Sequence, residues 1–227
     1  MTVDRCVRFV SAAFLAGAIA LTGCASKQRG LNYIREEGDR EYSRGNFNTA
    51  LADYQEYVQR NPGDPEVRHS LAKTLLKTGD PAAAVEHATI ALDARPDNEQ
   101  YLETLAESLY QSKQTDALYR LLRTNASDRG RVGDYIRLGH YAAKLGDADG
   151  AEQALLFAAK IDGGKTVGPQ LALADFYTAI NDKQGALKRL RMAYYIEPQN
   201  QDIADRIRAM GEIPGPSLAL EPAELRE

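Results

Sequence analysis

The 227-residue chain has no tryptophan and only two cysteines, Cys6 and Cys24, both close to the N-terminus. No disulfide can therefore hold the remainder together, and no thiolate metal site is possible there. The three histidines, His69, His87 and His140, are scattered and form no His-x-x-x-His pair. Charge of one sign is also lacking. The 28 lysines and arginines oppose 32 aspartates and glutamates, a net of −4, and a field that weak gives no reason to expect nucleic acid. The one long uncharged apolar run, Phe9–Thr22, falls short of the roughly 20 residues needed to span a bilayer. What the chain does have is alanine and tyrosine, with little valine or isoleucine. Such a composition favours helices, because alanine loses no side-chain entropy on entering one. The length suits one compact domain or one medium solenoid.

The N-terminus reads as an address. Arg5 and Arg8 form a short positive region, Phe9–Thr22 has the length of a signal-peptide core, and Leu21-Thr22-Gly23-Cys24 follows. That tetrapeptide resembles the lipobox of bacterial lipoproteins. The resemblance implies cleavage of residues 1–23, S-diacylglycerol and N-acyl lipid on Cys24, and residues 24–30 as a short lipidated linker. Several acyl chains give stable anchoring, since each buried CH₂ contributes about 0.8 kcal/mol. Asp4, inside the positive region, departs mildly from the pattern. Ala25-Ser26 after the cysteine, in place of Asp, implies the outer membrane and its periplasmic face. Asn125-Ala126-Ser127 fits a glycosylation acceptor but carries no weight in such a context.

Downstream the chain repeats itself every 34 or so residues. Gly45-Asn46-Phe47 is followed by Ala50, Tyr54, Tyr57 and Pro62; Gly79-Asp80-Pro81 by Ala84, Ala88, Ala91 and Pro96. Gly146-Asp147-Ala148 leads to Ala151, Leu155 and Ala158, and Asn181-Asp182-Lys183 to Ala186, Leu190, Ala193 and Pro198. Upstream of each stand Gly38, Leu71-Ala72, Leu138-Gly139 and Leu173-Ala174. The pattern resembles the tetratricopeptide repeat, although Ile34, Arg68, Leu102, Tyr135 and Gln170 stand where that family's signature tryptophan falls. The expected fold is all-α: a right-handed solenoid over residues 31–200, with units near 31–64, 65–98, 99–131, 132–166 and 167–200. A capping helix at 201–211 and a proline-rich tail at 212–227, disordered or extended, complete it; the tail is expected either to be solvated or to dock onto its own groove or a partner.

Physical reasons support this reading. A glycine closing the first helix can take the left-handed conformation, and Asn46, Asp80, Asp147 or Asp182 can cap the second through a side-chain oxygen. Pro65 and Pro81 suit a first helical position. One helical pair cannot bury its own apolar face, so neighbours must stack. The third unit departs from the pattern: Lys113 replaces the turn glycine, Leu118 and Asn125 replace small residues, and 125–133 reads as a loop.

In tetratricopeptide arrays the first helix of each unit lines the concave face. The resemblance assigns to that groove Arg35, Asp39 and Tyr42, then His69, Lys73 and Lys77. It adds Glu103, Glu107 and Tyr110, then His140 and Lys144, and finally Asp175. The groove should be basic at the second unit and acidic at the third, with tyrosines supplying contact area at low entropy cost. A carboxylate clamp of the Lys/Asn type is absent, since Arg35 and Asp39 stand there.

Enzyme signals are weak. Asp162-Gly163-Gly164-Lys165-Thr166 resembles a phosphate loop, but Ala159 stands where its first glycine should be and no strand precedes it. His87 has no Ser, Cys or Asp placed to form a triad. The chain thus reads as a non-catalytic scaffold without cofactor, metal, nucleic acid or small-molecule substrate, binding other envelope proteins through its groove. The layout resembles the assembly lipoproteins of Flp (Tad) pili and, more loosely, pilotins of type IV pilus secretins. Scaffolds of peptidoglycan hydrolases or synthases, and enzyme accessory subunits, are the alternatives.

Overall fold

A computed structural model describes residues 28–226. The signal-peptide and Cys24 lipidation assignments lie outside these residues. Five antiparallel helical hairpins follow one another: α1 (Leu31–Ser43) with α2 (Phe47–Arg60), α3 (Pro65–Thr78) with α4 (Pro81–Ala94), α5 (Glu99–Gln111) with α6 (Thr115–Arg129), α7 (Val132–Lys144) with α8 (Ala148–Asp162), and α9 (Val167–Ala179) with α10 (Lys183–Ile196). Each hairpin packs on the next, and α11 (Gln201–Ala209) covers the open end by burying Ile203 and Ile207 beside Leu190. The described residues form an α-solenoid. No helix among them is long and apolar enough to cross a membrane.

The hairpins close because small residues let the helices touch. A Cβ on Gly38 would stand 2.8 Å from the Tyr54 ring, and one on Gly139 2.6 Å from Leu155. Ala50, Ala84, Ala151 and Ala186 are fully buried at the same seams. The turns use a left-handed residue each: Gly45, Gly79 and Gly146 at φ 81°, 87° and 81°, but Lys113 at 59° and Asn181 at 62°. Lysine there suffers the Cβ–carbonyl clash that glycine avoids.

Asp80, Asp147 and Asp182 accept the N–H of Ala83, Gly150 and Gly185 and so cap the second helices. Asn46 does not cap. Its amide donates instead to the Glu41 carboxylate at 2.7 Å, which Arg44 also contacts. Asp64, Asn98 and Asn200 cap α3, α5 and α11, each accepting backbone N–H groups of the first turn. At the other end, Arg29 pairs with Asp53 and Glu56, and Arg60 donates to the Arg29 carbonyl at 2.7 Å.

Two expectations change. Residues 125–129 are not a loop: α6 continues to Arg129 and ends at Gly130 (φ 61°). Ala126 is buried there and the Asn125 amide bonds the Leu121 carbonyl. Nor is the tail solvated throughout: its last residues dock, although Ile213 stands 86% exposed. Leu220 N–H donates to the Arg191 carbonyl (3.1 Å), and Arg191 Nε donates to the Leu218 carbonyl (2.7 Å). Glu224 pairs with Arg189 at 2.7 Å, both nearly buried, and a short 3₁₀ turn at Ala223–Arg226 completes the segment. Leu218, packed on the core of the last unit, and Glu224 give the segment its seat.

Replacing Lys113 with glycine should raise stability by about 0.5 to 1 kcal/mol. Gly139→Ala should lower it by about 1 to 3 kcal/mol, because Leu155 must move. Urea denaturation of the two variants checks both signs.

Candidate protein-binding surface on the first helices

Among the first helices α1 lies against α3, α3 against α5 and α7 against α9, while long side chains bridge α5 and α7; the predicted groove residues divide into distinct settings along them. On α1, Arg35 pairs with Glu66 at 2.8 Å, and Asp39 accepts the Tyr54 hydroxyl at 2.7 Å. Lys73 sits over the Tyr42 ring at 5.1 Å, a cation–π contact. Lys77 faces elsewhere, beside Gly45–Thr49 at the turn of the first hairpin.

His69 is a correction. It is 9% exposed and lies under the surface, its ring 4.5 Å from that of Tyr101. Thr104 gives its hydroxyl proton to the Gln100 carbonyl, so His69 Nε2–H, 2.9 Å away, must be the donor to Thr104 Oγ. Burial, with the Lys73 ammonium adding to it, lowers the His69 pKa to about 4.

The acidic section expected at the third unit is largely neutralised by the fourth. Glu99, Glu103 and Glu107 form a stripe at helical spacing on α5. Arg137, Tyr141 and Lys144 form the matching stripe on α7. Arg137 bonds Glu99 (2.7 Å), Glu103 (2.8 Å) and buried Asp134 (2.9 Å). The Tyr141 hydroxyl lies 2.9 Å from Glu103 and 3.0 Å from Glu107. A phenol has a single proton, so it donates to one carboxylate at a time. Burial and the two carboxylates both raise the Tyr141 pKa, which keeps that proton in place. Lys144 reaches Glu107 at 3.4 Å and lies over the rings of Tyr110 (5.1 Å) and Tyr141 (5.0 Å).

Beyond this seam a cleft of about 620 Å³ opens between α7 and α9. Its floor is apolar: Ile136, Ala143, Leu155, Ala172, Phe176 and Ala179. Its rim carries Glu103, Arg137, His140, Lys144 and Asp175. Asp175 also pairs with Arg206 of α11, and His140 is exposed, with its pKa lowered by partial desolvation and Lys144. The structure thus brings together Glu103, His140, Lys144 and Asp175 around one opening. It leaves Arg35, Asp39, Tyr42 and Lys73 as a separate patch. Reading one position at a time missed Arg137 and the apolar floor. A matching of the 99/103/107 stripe against 137/141/144, one repeat on, could have found the arginine.

The remaining chemical signals are occupied otherwise. Asp162 accepts both the N–H and the hydroxyl of Thr166, at 2.8 and 2.7 Å, where a phosphate loop would offer its donors to an anion. His87 Nδ1 accepts from Arg68 at 2.9 Å. Among the described residues no group of three or more His, Cys, Asp or Glu could hold a metal ion.

The buried neutral His69 makes a pH prediction. Its folded pKa lies below the unfolded value, so its stabilisation is present above pH 6.5 and is lost as pH falls towards 4. At pH 5 the protein should be about 2 kcal/mol less stable from this residue alone. His69→Gln should remove that part of the acid limb, as read by urea midpoints at pH 7.5 and pH 5.

A tetratricopeptide-repeat family model matches residues 41–108. No curated protein matches the chain. Among solved structures, a thermophilic TPR protein from Thermus thermophilus is similar at TM-score 0.54 and 22% identity, covering 80% of this chain and 98% of that one. A MamA protein is similar at TM-score 0.55 and 18% identity, covering 76% and 94% respectively. The MamA 41-end form from Desulfovibrio magneticus is similar at TM-score 0.54 and 19% identity, covering 75% and 96%. At these identities the likeness is one of fold: an α-solenoid of tetratricopeptide type.

Proposed function

We propose that this protein is a non-catalytic interaction scaffold, tethered to the outer membrane by lipid on Cys24 and facing the periplasm, that assists assembly of a surface machine such as a pilus or secretion system. The observation that carries the scaffold reading is the cleft between α7 and α9, with its apolar floor and mixed-charge rim. Binding energy at protein interfaces concentrates where apolar anchors fill such a pocket, while a polar rim excludes water and fixes register. The tetratricopeptide match over residues 41–108 supports the same reading. The tether and the surface machine rest on the lipobox-like Leu21-Thr22-Gly23-Cys24 and on the order of lipobox, short linker and repeats.

Affinity capture from gently solubilised envelopes tests both parts. Secretin or pilus-assembly subunits should co-purify with the acylated protein and not with a Cys24→Ala form. Ala172→Glu, which places a carboxylate on the cleft floor, should reduce capture tenfold or more while the thermal midpoint stays near that of the parent. Capture of cell-wall enzymes would replace the pilus reading with the peptidoglycan one. Capture indifferent to Ala172→Glu would remove the cleft from the interface.

A further inference from the structure

The chain shows in its own tail what a second helix can hold. Beside α10 the residues Leu218–Glu224, which run from a turn into the 3₁₀ segment, are fixed by Arg191 on a backbone carbonyl and by Arg189 on Glu224. A non-helical stretch that carries leucines and ends on a glutamate is thus seated by arginines of a helix.

The second helix of the third unit offers arginines that are in no ion pair. Of the arginine side chains described, Arg120 and Arg123 alone form neither an ion pair nor a hydrogen bond; Arg123 stacks on the Tyr119 ring at 4.9 Å. Asp116 shares their depression on α6 and pairs with neither. Arg120 also forms the rim of an open groove of about 430 Å³, walled by α4 and α6 and floored by α5. Its lining is mainly apolar: Val85, Leu105, Leu109, Ala117 and Leu121. The groove has a local cause. Leu118, fully buried where the other units carry alanine, holds α6 off, and α5 and α6 approach less closely than the other hairpins do. Leu105 and Leu109 lie two residues from Glu103 and Glu107, about 200° around the helix. The groove therefore opens on the side of α5 away from the charged seam.

We infer that the α4–α6 groove binds an extended, acidic, leucine-bearing segment of a partner protein. Its leucines lie over Leu105, Leu109 and Leu121, one carboxylate meets Arg120 at the rim, and a further one reaches Arg123 in the adjoining depression. The guanidinium of Arg120 at the rim of the apolar trough, with Arg123 in the depression that adjoins it, is complementary to that chemistry, since a carboxylate accepts bidentate bonds from arginine. The protein then has two binding faces, this groove and the cleft on the first helices, and can bridge two partners.

The test uses the full chain and a fluorescein-labelled peptide copying residues 216–227, an acidic, leucine-bearing segment, read by fluorescence anisotropy. Binding should weaken severalfold between about 50 and about 300 mM salt. The exposed double substitution Arg120→Glu/Arg123→Glu should weaken it tenfold or more, with helical circular dichroism unchanged. Ala172→Glu, on the other face, should leave it unaltered, which separates this inference from the cleft reading. No binding at about 1 mM peptide, an affinity near 4 kcal/mol, would overturn it. Binding indifferent to the double substitution would place the peptide in the tail's own seat by exchange and equally overturn it. Concentration-dependent self-association abolished by the same substitution would put a second copy in the groove, against the inference.

Discussion

Close approach of paired helices is the constraint on which the rest depends. A two-helix unit has too little interior to be stable alone, so it must bury one flank within itself and two against its neighbours. That geometry needs backbone contact at the hairpin seam, which Gly38 against Tyr54 and Gly139 against Leu155 provide. Where the seam carries Leu118, the units still stack, but α6 stands away and leaves the trough between α4 and α6. One departure from the repeat thus accompanies both the least closely packed hairpin and this trough.

The charged residues of the concave side are mostly paired within the solenoid. Each α5 glutamate of the stripe meets a cation or a phenol of α7, so the third and fourth units are joined by polar contacts in addition to their apolar core. Half-exposed pairs of this kind contribute little stability individually. Arg137 is different, because buried Asp134 depends on it and would otherwise be an uncompensated charge. The seam therefore fixes register between units more than it attracts a partner, and the apolar floor beyond it is the part of the face free to bind.

The C-terminal segment completes the last two units. Pro222 and Leu225 rest on Gly164, where a Cβ would lie 2.9 Å from each. Gln170 stands at the position of the family's tryptophan and is fully buried, accepting from Arg189 and donating to Glu224. A buried polar pair thus meets the returning tail at the position where the repeat pattern has a large aromatic.

The sequence by itself determined the all-α solenoid, its five hairpins and its capping helix. Those depend on local signals that recur in register: glycine at the turn, aspartate at the cap, alanine at the seam. It also marked the third unit as irregular, since Lys113 and Leu118 break the pattern in place. Three matters were decided only by tertiary structure. Asn46 gives up capping because Glu41 competes for its amide, His69 is buried because Tyr101 and Thr104 of the next unit close over it, and the tail is held because Arg189 awaits its glutamate. In each case the deciding partner lies on another helix, and for His69 and the tail more than thirty residues away, a distance at which a repeat pattern specifies spacing but not which side chains meet. The same is true of the charged seam, whose members read as a partner-binding groove when taken helix by helix and as mutual partners once the helices lie side by side.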